Sequence, residues 1–162
     1  MEKKKSEDKK KTKLEDELLL FAYMRINKHI PDKIDVPKLA KGKSWRTIQR
    51  YLDDLQECMD FRSMDLRLWD YGEIPLRWQF LYRNLFLLNQ IMDAANAGVF
   101  YCENYPDIVE PPKISAVRVQ ERYAYELGLE IPLRDVQRDV KICKSLLPEI
   151  QEQNGMEDMW DF

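Results

Sequence analysis

The sequence is short of most residue types that carry chemistry: it has one histidine, His29, three cysteines and five glycines in 162 residues. Cys58, Cys102 and Cys143 are scattered singly, with no CxxC pair, so neither a disulfide framework nor a zinc cluster is spelled out. An odd, dispersed set of this kind reads as the reduced thiols of a cytoplasmic protein. The phosphate-cradling GxxxxGK[ST] and GxGxxG are missing, and so are HExxH and GxSxG. No catalytic residue, metal or cofactor is therefore expected. Asp53, Asp54, Glu57 and Asp60 place carboxylates at i and i+4, but such a row is the ordinary solvated face of a helix. His29, close to Pro31, reads as a surface or capping residue.

Long apolar runs are lacking too. The run LLLFAYM ends at Arg25 and starts too late for a leader peptide. The most apolar stretch, WQFLYRNLFLLNQIMDAANAGVF, carries Arg83, Asn84, Gln90 and Asp93, which a membrane span tolerates poorly. No membrane association is expected.

What remains is helical. Strand-forming residues are sparse, and apolar positions recur at helical spacing from Leu14 to about Lys28, with Glu15, Asp16 and Glu17 in the first turn, where the helix dipole favours acids. From Ile74 to Phe100 two apolar rows run along one helix, Leu81, Leu85, Leu88, Met92 and Trp78, Tyr82, Phe86, Asn89. A helix apolar over so much of its circumference is buried in a core or against another chain. The net charge of −3 hides a polarity: residues 1–13 hold seven lysines against three acids, and residues 149–162 hold five acids and no base. Charge blocks at chain ends are usually solvated tails, and a basic one can also lie along nucleic-acid phosphates.

Between these elements, Pro37 suits the first turn of a short helix, VPKLAK, that Gly42 ends. Ser44 is a good N-cap for the next helix, whose apolar stripe is Trp45, Ile48, Leu52 and Leu55. Arg46, Gln49, Arg50 and Asp53 then face away from the stripe. Helix, short helix, tight turn and helix in this order make a helix-turn-helix. The stretch PKLAKGKSWRTIQRYLDDL resembles the module that opens many bacterial transcriptional regulators of the DeoR and WYL types. The likeness covers about a quarter of the chain and rests on Arg46, Thr47, Ile48, Gln49, Arg50 and Leu52. The interval from Leu39 to Ile48 departs from the usual pattern by about two residues.

The phrase occurs twice. Eighty-eight positions after SWRTIQRYLDDL the chain reads PLRDVQRDVKIC, pairing Arg46 with Arg134, Gln49 with Gln137 and Arg50 with Arg138. Leu39 and Ala40 meet Leu127 and Gly128 in the same frame, so both copies have the same long turn. The second stripe is Leu133, Val136, Val140, Cys143 and Leu147, with Asp135 and Asp139 expected on the exposed face beside Arg134 and Arg138.

The chemistry suits double-stranded DNA, since Arg grips guanine, Gln bridges adenine, and short hydroxyls reach phosphate or base. The expected DNA-binding residues are Lys41, Lys43, Ser44, Arg46, Thr47, Gln49 and Arg50 in the first unit and Arg134, Gln137 and Arg138 in the second. The second unit is the weaker one, because acids near phosphates oppose binding.

The expected organisation is a basic tail (1–13), a first helix-turn-helix domain (14–62), a central oligomerising helical region (63–100), a proline-rich connector (101–113), a second helix-turn-helix-like unit (114–148) and an acidic tail (149–162). In that last segment Trp160 and Phe162, set among acids, suit docking into a protein partner. The fold class expected is all-α, two helix-turn-helix units around a central hydrophobic helix. The function expected is non-catalytic, homo-oligomeric DNA binding. The setting is either transcriptional regulation or phage DNA packaging, since the layout also resembles small terminase proteins. The alternative is a helical interaction or scaffold protein that does not bind DNA.

Overall fold

The computed structural model describes residues 11–34, 42–60, 65–66, 76–96 and 115–154. The proline-rich connector, the expected short helix at VPKLAK with Lys41, and the aromatic end with Trp160 and Phe162 lie outside the described residues. The fold is all-α. Helix α1 is Lys13–Asn27, α2 Trp45–Cys58, α3 Leu76–Asn96, α4 Ala116–Arg122 with a π turn at Tyr123–Leu127, and α5 Leu133–Gln153. A small antiparallel hairpin follows α2, with β1 (Met59–Asp60) pairing β2 (Asp65–Leu66) so that Met59 faces Leu66. None of the described helices is long and apolar enough to cross a membrane.

Helix α1 begins with a reciprocal cap: Thr12 Oγ1 accepts from the Glu15 amide at 3.2 Å, and Glu15 Oε1 accepts from the Thr12 amide at 3.0 Å. It ends at Lys28 in a left-handed conformation (φ 65°), whose amide donates to the Met24 carbonyl at 2.8 Å. Between the caps, Asp16 to Ala22 and Met24 are all buried, and the helix packs against α2, α3 and α5. Leu18, Phe21 and Ala22 keep the helical spacing expected from Leu14 onward. Leu19, Leu20 and Met24 complete the circumference, so α1 shares the central place expected for α3 alone. In α3 every residue from Leu81 to Leu88 is buried, Arg83 and Asn84 included. Apolar side chains of all five helices join in one cluster, so the first helical domain, the central region and the second unit drawn from sequence share a single core.

In the second unit α4 and its π turn precede α5, and two details differ from the expectation. Asp139 is not on the exposed face with Arg134 and Arg138. It is 2% exposed, receiving Arg83 Nε at 2.5 Å, Arg83 Nη2 at 3.0 Å, Tyr123 Oη at 3.0 Å and Asn84 Nδ2 at 3.3 Å. Helix α5 is covered by α3 and α4 together, which widens its buried face beyond the stripe to include position 139. Leu133, placed on the stripe, is instead 37% exposed in the first turn.

The C-terminal boundary also moves. Pro148 removes one helical amide, yet α5 continues to Gln153 because Ile150 and Gln151 are buried against the core. The acids Glu149 and Glu152 thus belong to a helix rather than a tail. Burial, and secondarily the charge of Asp139, pushes the Cys143 thiol well above its ordinary value, making it an inert core residue.

Removing Asp139 leaves Arg83 buried without its counter-charge. Asp139→Ala is expected to cost about 3–5 kcal/mol of unfolding free energy in urea titration. Arg83→Met combined with Asp139→Leu is expected to recover most of that loss, and a single mutant as stable as the parent would refute the role given to the pair.

Candidate nucleic-acid interface

Ser44 caps α2 as expected, its Oγ accepting from the Thr47 amide at 3.2 Å and donating to Thr47 Oγ1 at 3.0 Å. Just ahead, Gly42 turns the chain with φ 80°, a conformation that side chains resist. The cap sets the rotation of the helix. Ile48, Tyr51, Leu52, Leu55 and Cys58 turn inward, while Arg46, Gln49 and Arg50 are exposed together on the N-terminal half. Arg50 Nη2 donates to Thr47 Oγ1 at 3.5 Å, which links the side chains of Ser44, Thr47 and Arg50 along one edge. The first turn of α2 holds no acid. Farther along, Asp53 and Glu57 are exposed.

The second copy repeats this rotation. Ser44 and Pro132 are the last residues before α2 and α5, and their separation (132 − 44 = 88) is the repeat offset. From Ile48/Val136 to Leu55/Cys143 each pair has the same environment: buried, exposed, exposed, buried, buried, exposed, half-buried, buried. Arg134, Gln137 and Arg138 are therefore exposed as a set, like their counterparts. Tyr51 answers Asp139, both of them buried. The turns are not alike in detail. The left-handed glycine stands two residues before the cap in the first copy (Gly42) and four before it in the second (Gly128). The Arg–Gln–Arg sets ride on different helices, with α1 packed against both.

Lys43 is the expected DNA-binding residue that the fold turns elsewhere. Its ammonium is 3.6 Å from Asp16 Oδ2, with the lysine side chain only 17% exposed. Close by, Lys13 of α1 reaches Asp54 of α2 at 2.5 Å and lies over the Tyr51 ring. Glu17 is 3% exposed, and its Oε2 has no hydrogen-bond partner among the described residues. Sequence reasoning used Asp16 and Glu17 only as partners of the helix dipole. Their position inside an otherwise apolar helix was the available sign of burial. Among the described residues no group of histidine, cysteine and acidic side chains could hold a metal ion.

Burial raises the Asp16 carboxyl above its ordinary value, opposed by Lys43. It pushes Glu17 from 4.5 up to about 8, with Asp54 and Asp16 adding repulsion and Lys13 opposing. Compared with protein-family models, with curated proteins and with solved structures, the chain matches none.

Because the folded state holds the Glu17 proton that the unfolded chain releases, this contribution to stability is complete below 4.5 and lost as pH rises through about 8. Glu17→Gln is expected to flatten the decline and to raise the melting temperature at alkaline pH. Melting curves of parent and variant that fall in parallel with pH would contradict this assignment.

Proposed function

We propose that the protein binds double-stranded DNA without catalysis, using the N-terminal half of α2 as a recognition surface. The observation that carries this reading is the capped, acid-free start of α2 with Arg46, Gln49 and Arg50 exposed side by side. A helix of this kind enters the major groove, where arginine and glutamine distinguish base pairs and serine or threonine reaches phosphate. The hairpin β1–β2 follows α2 directly and supplies a second slender element beside the helix. The contact of Lys13 with Asp54 puts the root of the lysine-rich segment next to α2, from where it can lie along the same duplex.

The second unit offers Arg134, Gln137 and Arg138 in the same rotation, but with Asp135 in its first turn, and contributes the lesser contact. Lys43 acts indirectly, by anchoring the turn before α2 to Asp16. Two settings fit a small cytoplasmic homo-oligomer of this design, a transcriptional regulator and a phage packaging subunit of the small-terminase type. Native mass spectrometry separates them, a dimer favouring regulation and a ring of eight or more subunits favouring packaging. One observation favours a different class, a helical adaptor: Asp53 and Glu57 share the exposed side of α2 in a chain of net charge −3.

Arg46→Ala with Arg50→Ala is expected to weaken duplex binding by about 1–3 kcal/mol per arginine while leaving the melting temperature unchanged. Arg134→Ala with Arg138→Ala should cost less. Fluorescence anisotropy with a labelled duplex measures both, and unaltered affinity in the first pair would turn the assignment toward the adaptor. Deleting residues 155–162, with Trp160 and Phe162, should spare both affinity and stability and abolish binding to a protein partner, read by pull-down against candidate partners.

A further inference from the structure

We propose that Glu17 is a proton-operated latch for helix α2, holding that helix and the turn before it against α1 when neutral and loosening them when ionised. Two ties join α1 to this unit: Lys13 to Asp54 at 2.5 Å, and Asp16 to Lys43 at 3.6 Å. Glu17 is on the same turns of α1 as Lys13 and Asp16, is almost wholly buried, and has an oxygen with no hydrogen-bond partner among the described residues. Asp16 Oδ2 likewise lacks a hydrogen bond, its contact with Lys43 being longer than one.

The local charge balance turns on one proton. With Glu17 neutral, Asp16 and Asp54 face Lys13 and Lys43, two against two. Once Glu17 ionises, three carboxylates share two ammonium groups, with Glu17 and Asp16 buried and the tie of Lys13 to Asp54 at the edge of the site, where Lys13 is half exposed. Ionised Glu17 attracts Lys13 and repels Asp54, and both effects act on the tie that seats α2.

Charged groups on neighbouring elements are already engaged. Lys11, just before α1, pairs with Glu149 of α5 at 3.0 Å, Glu15 closes the cap with Thr12, and Arg83, the cation buried on α3, is held by Asp139. Lys11 also draws the Asp16 carboxyl down, but its ammonium is paired with Glu149 and makes no contact with Glu17 among the described residues. Burial pushes the Glu17 carboxyl up to about 8, close to neutrality.

The structural half of this proposal stands without DNA. Its consequence, that duplex affinity falls as Glu17 ionises, rests on the function proposed above. The test is a titration of the isotopically labelled full chain by NMR from about pH 6 to 9.5, following the Glu17 carboxyl carbon and the backbone amides of residues 43–58.

The expected result is that those amides move with the carboxyl midpoint, that amides of Leu133–Val140 do not, and that Glu17→Gln abolishes the movement. A Glu17 carboxyl already ionised at the acid end would overturn the latch, and so would α2 amides that stay still while it titrates. Because the parent chain alone yields both of these outcomes, the proposal does not depend on the variant folding.

Anisotropy with a duplex on the same samples distinguishes the two layers. A loss of at least about fivefold between pH 7 and 9, absent in Glu17→Gln, is the coupling expected between two linked sites. Moving amides with a pH-independent affinity would overturn the link to DNA. Moving amides with no affinity for DNA at any pH would remove the proposed function and leave the latch standing.

Discussion

Helix α1 has no side left for solvent along its middle turns, and the rest of the fold is arranged around that constraint. Leu18, Leu19, Leu20, Phe21 and Met24 point in different directions around the helix, and all are buried. Each contributes about 1.5–3 kcal/mol when removed from water, but no single neighbour can cover them all. The helix is therefore packed by α2, α3 and α5 together. Helix α1 thus links α2 to α3 and α5, which also pack directly on each other. The helices that carry the exposed arginines, α2 and α5, are joined in one apolar core for the same reason.

Full burial of a helix that begins with acids has a cost, and the molecule handles its buried carboxylates in two ways. Asp139 is met by Arg83, Tyr123 and Asn84, a complete set of donors that makes α3, α4 and α5 a cemented unit. Glu17 has no such set among the described residues. Position 139 corresponds to Tyr51 of the first copy, where the ring fills the space and no charge needs compensation. In the second copy the carboxylate required its own partners. In the first copy the acids are instead contributed by α1, next to two lysines whose charges are shared among several carboxylates.

The outer surface shows how the same phrase can be used with different emphasis. Both copies turn Arg, Gln and Arg outward, because the buried apolar positions fall at the same distance from the start of each helix. Serine is the capping residue in the first copy, and its hydroxyl also engages Thr47. Proline precedes the second helix, where Asp135 occupies the equivalent of Thr47. This small exchange changes the electrostatic character of the two faces more than any change of backbone does, and it is the physical ground for ranking the first above the second.

Much of this was legible in the chain itself. The spacing of Ile48, Leu52 and Leu55, the cap at Ser44 and the recurrence of the phrase determined where α2 and α5 begin and which residues they expose, since local hydrogen bonding and periodicity act within a few residues. The all-α class followed from the same signals. What sequence could not supply was which elements would cover each other. Asp139 looked solvent-facing because an isolated α5 has a narrow stripe, and only the joint approach of α3 and α4 buried it. The second unit was bounded at 148 because its apolar stripe ends at Leu147, and only the burial of Ile150 and Gln151 against the core carried the helix on to Gln153. Asp16, Glu17 and Lys43 were read as a dipole partner pair and a DNA contact. Their meeting beneath α2 depends on how α1 and α2 pack, and charge desolvation is a property of that packing alone.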